Sequence, residues 1–103
     1  MTARQRLPNR RGSETFALRC AMTYVATVSR FDDGRIAEIF LSNHKAGSQA
    51  DTAARDSAIV ASLALQFGAP LDVIQRALLR DPQGRASSPL GGAVDLIAGG
   101  QQP

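Results

Sequence analysis

A lysine, a glycine and a serine lie within the string Lys45-Ala46-Gly47-Ser48, directly before a run of helix-forming residues. A helix N-terminus presents free N–H groups and the positive end of the helix dipole, so a lysine beside it can attract an anion. The string is not a phosphate loop, because the lysine of that loop follows the last glycine, whereas Lys45 precedes Gly47. Two interpretations stay open: Lys45, Gly47 and Ser48 contact an anion or nucleotide, or Gly47 bends the chain and Ser48 caps the helix.

The start of the chain is a second cationic candidate. Residues 1–30 contain six arginines and a single acidic residue, Glu14. Residues 1–13 are polar and contain a proline, and we expect them to form a flexible, Arg-rich arm. The arginines of this arm that could attract a phosphate-rich partner are Arg4, Arg6, Arg10 and Arg11. Binding to nucleic acid by such an arm would be weak and salt-sensitive, and the other interpretation is a solvated, frayed terminus.

One cysteine and one histidine limit the chemistry that the chain can perform. A metal site needs three or four ligands, so no metal site is predicted within one chain. His44 with Asp51 and Asp56 would suggest general acid–base catalysis, but no nucleophile completes the arrangement. No catalytic residue is therefore predicted. We expect Cys20 to be buried and inert, because Arg19 points to the opposite face of a strand. A lone cysteine fits a reducing compartment, and a cytoplasmic location is predicted.

Three strands are predicted to support these residues. Apolar and polar side chains alternate over residues 14–20, and residues 22–31 and 35–42 are rich in β-branched and aromatic side chains. Asp32-Asp33-Gly34 is a hairpin signal, since glycine readily adopts the positive φ that such turns require. A loop of even length places Val28 opposite Ile39 on an apolar face, and we therefore expect an even-length loop.

Helices follow the strands. The first is predicted to begin at a cap formed by Ser48 or Asp51 and to stop at Gly68 and Pro70. Its predicted apolar face comprises Ala54, Ala58, Ile59, Ala61, Ser62, Leu63, Leu65, Gln66 and Phe67. A second helix is expected over residues 70–81 and a short third over residues 89–97. Strands followed by helices predict an α+β fold, with a small antiparallel three-stranded sheet and two to three helices packed on one face.

The length of 103 residues predicts a single domain, residues 14–98, followed by a frayed tail at residues 99–103. No apolar stretch approaches the roughly 20 residues of a membrane span. The N-terminal charges are not followed by the apolar segment of a secretory signal. We therefore expect neither a membrane-spanning nor a secreted protein.

The segments "DGRIAEIFLSNHKAGS", "RDSAIVASLALQFGAP" and "PLGGAVDLI" together resemble the TSCPD domain family. Members of that family similarly combine an Asp-Gly hairpin, a Glu-x-Phe strand, Lys-x-Gly-Ser, a helix with Ser-x-x-Leu, and a Gly-x-Pro stop. The resemblance covers residues 14–98. The Thr-Ser-Cys-Pro-Asp string that names the family is absent here. A role attached to that cysteine in relatives is therefore not carried over to Cys20.

The resemblance implies a link to adenosylcobalamin-dependent ribonucleotide reductases, in which the module lies near the C-terminus, and so to deoxyribonucleotide synthesis for DNA replication. Ribonucleotide reduction, as the family implies it, needs at least three thiols, and this chain has one. We therefore expect an accessory, non-catalytic module whose partner is a reductase large chain or another protein. Adenosylcobalamin is expected only through such a partner. The alternatives are a nucleic-acid-associated protein that uses its basic arm, and a self-assembling interaction module.

Overall fold

The predicted strands and helices occur in the predicted order. The computed structural model describes residues 3–7 and 12–99. Its strands are β1 (Ser13–Cys20), β2 (Met22–Arg30) and β3 (Ile36–Asn43), which form one antiparallel sheet in the order β1-β2-β3. The helices α1 (Gln49–Gln66), α2 (Leu71–Ala77) and α3 (Pro89–Ala98) follow. The α+β prediction is confirmed.

The register of the sheet collects apolar side chains on one face. Val28 lies opposite Ile39 and Ala26 opposite Leu41, as predicted. Both Ala26 and Leu41 are completely inaccessible to solvent. Further apolar side chains of the same buried cluster come from β1, β2, α1 and α3, namely Phe16, Leu18, Tyr24, Leu65, Leu90, Val94 and Ile97. None of the helices in the described ranges is both long and apolar enough to cross a membrane.

The loop between β2 and β3 differs from the prediction. The Gly34 N–H donates to the Phe31 carbonyl over 2.9 Å, and the Phe31 N–H donates to the Arg35 carbonyl over 2.8 Å. The loop therefore has three residues and ends at Gly34, whose φ is +92°. The even-length expectation is wrong, but the register is kept because a bulge with Ala37 as the extra residue of β3 restores the parity.

Helix α1 lies along β3, which is an edge strand of the sheet. The Ser62 Oγ accepts a hydrogen bond from the Ile39 N–H (2.9 Å) and donates one to the Ile39 carbonyl (3.0 Å). The Gln66 Nε2 donates to the carbonyl of the bulged Ala37 over 3.0 Å. The polar side chains of α1 thus satisfy backbone groups that an edge strand would otherwise leave unpaired.

The buried face of α1 is only partly the predicted one. Ile59, Leu63 and Phe67 were expected in the core but are 56%, 38% and 43% exposed. The buried side chains of α1 are Asp51, Ala54, Ala58, Ala61, Ser62, Leu65 and Gln66. The hydrogen bonds from Ser62 and Gln66 to β3 orient the helix so that these polar residues face the strand. The small alanine side chains of α1 permit a close approach of the helix to the sheet.

Helices α2 and α3 are tied together by one carboxylate. The predicted second helix ends early, at Ala77, because Leu78 is extended and the chain then forms a bridge between Arg80 and Ala86. The Asp95 carboxylate accepts from the Arg80 Nη1 (2.9 Å) and Nη2 (2.6 Å), and also from the Gln75 Nε2 (2.9 Å). The hydrogen bond from Arg80 is the main reason why the pKa of Asp95 lies below its ordinary value.

Candidate functional site

The Lys45-Ala46-Gly47-Ser48 string forms the connection between β3 and α1, which we call the β3–α1 junction (residues 43–51). The Asn43 Oδ1 accepts from the Lys45 N–H over 3.0 Å, and the Ser48 Oγ donates to the Lys45 carbonyl over 2.7 Å. Gly47 has a φ of +77°, a conformation that L-residues other than glycine rarely adopt. Gly47 therefore makes the bend that the sequence predicts.

Ser48 is the N-cap of α1. Its backbone is extended, with φ −68° and ψ 164°, and its side chain accepts from the Asp51 N–H over 3.1 Å. One of the free N–H groups at the helix start is satisfied in this way. Of the two predicted caps, Ser48 rather than Asp51 is therefore the N-cap.

Asp51 has a different role, which sequence reasoning missed. Its Oδ1 accepts from the Asn43 N–H over 2.9 Å, and its Oδ2 accepts from the Gly47 N–H over 3.0 Å and from the Arg55 Nε over 2.9 Å. The residue is 2% exposed. Ser48 and Asp51 have the spacing of a capping box, and that spacing is the signal that could have identified the carboxylate as part of the junction.

The hydrogen bonds to Asp51 favour its charged form. The N–H of Asn43 is the largest cause and the N–H of Gly47 the second, and together they hold the pKa of Asp51 below its ordinary value of 3.8. Burial opposes this effect, and Arg55 adds to it. The guanidinium of Arg55 also lies 4.9 Å from the centre of the Phe40 ring on the outer face of the sheet.

The junction therefore carries its own anion. A carboxylate of this chain occupies the N-terminal end of α1, where an external phosphate would otherwise be favoured. The Gly47 N–H, at a residue predicted as a possible anion contact, already donates to the Asp51 carboxylate. Lys45 is exposed to solvent. Contact of Lys45, Gly47 and Ser48 with an anion or nucleotide stays a prediction.

The other candidate side chains do not converge on one site. His44 and Asp56 are exposed, whereas Asp51 is buried, and no hydrogen bond joins His44 to either carboxylate within the described residues. Cys20 is half-buried rather than buried, and it lines an open cleft of about 490 Å³ beside α3. Arg19 lines the same cleft, and its guanidinium donates to the Thr23 hydroxyl over 3.4 Å. Over residues 3–7 and 12–99 there is no group of three or more His, Cys, Asp or Glu that could hold a metal ion.

Part of the predicted arm lies against the C-terminal end of α1. The Gln5 N–H donates to the Gln66 carbonyl over 2.7 Å, and the Arg4 Nε donates to the Gln66 Oε1 over 2.6 Å. Arg6 is exposed. Arg10 and Arg11 lie outside the described residues. Capture of a phosphate-rich partner by the arm, and the flexibility of residues 1–13, stay predictions.

The chain resembles known proteins over most of its length. A family model described as the TSCPD domain matches residues 2–99. The vitamin B12-dependent ribonucleotide reductase of Bradyrhizobium diazoefficiens is 38% identical over 74 residues, which are 70% of this chain and 6% of the reductase. The enzyme of the same name from Agrobacterium fabrum is 41% identical over 71 residues, 67% of this chain and 6% of the reductase. No solved structure matches significantly. The chain thus spans about 6% of the length of these curated relatives.

Proposed function

The chain belongs to the TSCPD domain family, and we propose that it is an accessory module of ribonucleotide reduction that carries out no chemistry of its own. In this proposal the chain docks to the large chain of a B12-dependent ribonucleotide reductase in the cytoplasm. It thereby takes part in the synthesis of deoxyribonucleotides for DNA replication.

The proposal rests mainly on the cysteine content of the matched module. The relatives are B12-dependent ribonucleotide reductases by name, and this chain corresponds to about 6% of each. The reduction that the family implies requires at least three thiols, whereas the chain has only Cys20. The polar groups of the β3–α1 junction bond to one another, which is the arrangement expected of a structural element rather than of a catalytic centre.

The described residues do not fit cobalamin, the cofactor that the names of the relatives imply. Two open clefts among the described residues have volumes of about 410 and 490 Å³. Such volumes suit drug-sized ligands, and cobalamin is larger. His44, the only histidine of the chain, is exposed and lines neither cleft. We therefore assign adenosylcobalamin to the proposed partner.

Direct binding to a reductase tests the proposal. The chain is labelled at its N-terminal amine, so that Cys20 stays unmodified, and is titrated with the purified large chain of a B12-dependent reductase from the same organism. We expect a saturable rise in fluorescence anisotropy with a Kd in the micromolar range or below, a free energy of about −8 kcal/mol or better. Unlabelled chain should compete for the same site.

Salt provides the control for this titration. Attraction through the basic arm alone should disappear as ionic strength rises, because exposed charges are screened beyond about 8 Å at physiological salt. Docking through a packed surface should persist at physiological salt. A titration that never saturates, or that an unrelated acidic protein reproduces equally well, would contradict the proposed function.

A further inference from the structure

Helix α1 carries an apolar stripe that the fold leaves uncovered. Its members, here called the α1 stripe, are Ile59, Val60, Leu63 and Phe67, with exposed fractions of 56%, 66%, 38% and 43%. They recur at spacings of three and four residues and therefore lie on one side of the helix. This side is separate from the buried face, which carries the alanines and the hydrogen bonds to β3. Contiguous exposed apolar patches of this kind typically mark an interaction surface.

No other part of this sequence offers an apolar cover for the stripe. The residues outside the described ranges are Met1, Thr2, Pro8, Asn9, Arg10, Arg11, Gly100, Gln101, Gln102 and Pro103. Apart from Met1, these residues are polar or are glycine and proline. These residues therefore do not supply the cover.

The charges at the two ends of the stripe are opposite. Asp56 lies one turn before Val60, at the N-terminal end of the stripe, and is exposed. Arg4 and Arg6 lie at the C-terminal end, where the backbone of Gln5 is bonded to α1. Neither Asp56 nor Arg6 forms a salt bridge within residues 3–7 and 12–99. The stripe is thus flanked by an acidic end and a basic end.

We infer that the occupant is a second copy of this chain, with the two α1 helices packed antiparallel through their stripes. In a two-fold symmetric pair each residue meets its counterpart in reverse order, so the surface must be self-complementary. An antiparallel arrangement brings Asp56 of each copy to Arg4 and Arg6 of the other, whereas a parallel one opposes like charges. The pairing does not depend on binding to a reductase, and it is measured on the chain alone.

The pairing should be weak. Phe67 lies eight positions after Ile59, which corresponds to about 12 Å along the helix axis. A stable complex commonly buries about 800 Å² on each partner, and a stripe of this length supplies only part of that area. We therefore expect a dimer that dissociates at roughly 10 to 100 μM.

Sedimentation equilibrium of the full chain, from roughly 10 μM to 1 mM, tests the inference. The wild type should pass from monomer to dimer over this range. Val60→Glu places two like charges near the two-fold axis and should raise the dimer Kd by about ten-fold or more. Leu79→Glu is the matched control, because Leu79 is 79% exposed and lies outside the stripe. It should leave the Kd unchanged, and both variants should keep the wild-type circular dichroism spectrum.

A charge exchange identifies the arrangement. Asp56→Arg and Arg6→Asp should each raise the dimer Kd by roughly two- to five-fold, as exposed ion pairs do. The double variant restores both pairs and should recover the wild-type Kd. A wild type that stays monomeric throughout, a Kd that Val60→Glu does not change, or a double variant no tighter than the singles would overturn the inference. If the wild-type chain is monomeric and Val60→Glu loses binding to the reductase, the α1 stripe binds that partner instead. This result would also overturn the inference.

Discussion

Asp51→Asn is expected to destabilise the protein more than any other single substitution in the β3–α1 junction. The Asp51 carboxylate accepts from the Asn43 N–H, the Gly47 N–H and the Arg55 Nε. An asparagine of the same shape turns its NH₂ group toward at least one of these donors, which leaves a buried donor without an acceptor. Urea unfolding at neutral pH measures the loss. Asp56→Asn, on an exposed position of the same helix, is the matched control and should change stability little.

The same substitution should weaken the acid sensitivity of the fold. The folded-state pKa of Asp51 lies below its ordinary value of 3.8, so the unfolded chain takes up the proton at a higher pH than the folded chain does. The stability that Asp51 contributes is therefore present above about pH 4 and is lost as the pH falls through the folded-state pKa. Asp33, Asp81 and Asp95 also have lowered pKa values, so part of the acid dependence should persist in Asp51→Asn. If the variant loses stability toward acid as steeply as the wild type, the role assigned to the Asp51 carboxylate is wrong.

Ser62→Ala should cost about 1–3 kcal/mol of unfolding free energy, because it leaves buried backbone groups unpaired. The Ser62 Oγ is the partner of both the N–H and the carbonyl of Ile39, at 2.9 and 3.0 Å. The residue is 7% exposed, so water does not readily replace the hydroxyl. The loss is measured as a lower midpoint of urea unfolding than in the wild type, with an unchanged dependence of the unfolding free energy on urea concentration.

Ser57→Ala is the matched control for Ser62→Ala. It makes the same substitution in the same helix, but the Ser57 hydroxyl donates only to the Ala54 carbonyl within α1. Alanine is the better helix former, so the control should be neutral or slightly stabilising. Equal midpoints for the two variants would show that α1 does not protect the edge of β3 through Ser62.

Much of the fold follows from local signals in the sequence. The alternation of apolar and polar residues places Val28 opposite Ile39 even though the loop length is not the predicted one, because the other parity exposes the apolar face. Ser48 is recognisable as a cap, since a serine before a run of helix formers has few other roles. The bend at Gly47 is also predicted from the local sequence, because glycine readily adopts the positive φ found there.

The orientation of α1 could not be read from periodicity. Hydrophobicity places Ile59, Leu63 and Phe67 in the core, but Ser62 and Gln66 are held against β3 by hydrogen bonds to its edge. Those bonds depend on the bulge at Ala37 and on which strand lies at the edge, and neither is visible in the spacing of apolar residues. The sequence names Asp51 as a candidate but does not show its bond to β3, because the Asn43 N–H that it accepts from belongs to another element.

A turnover assay tests the central claim, that this chain has no ribonucleotide chemistry of its own. Purified protein is given a ribonucleoside diphosphate, adenosylcobalamin and a dithiol, and deoxyribonucleotide is quantified against a reaction without protein. With Cys20 as the only thiol, the chain cannot both start a radical cycle and supply the reducing pair, so product should not exceed background. Product that persists through repurification and disappears in Cys20→Ser would contradict the account.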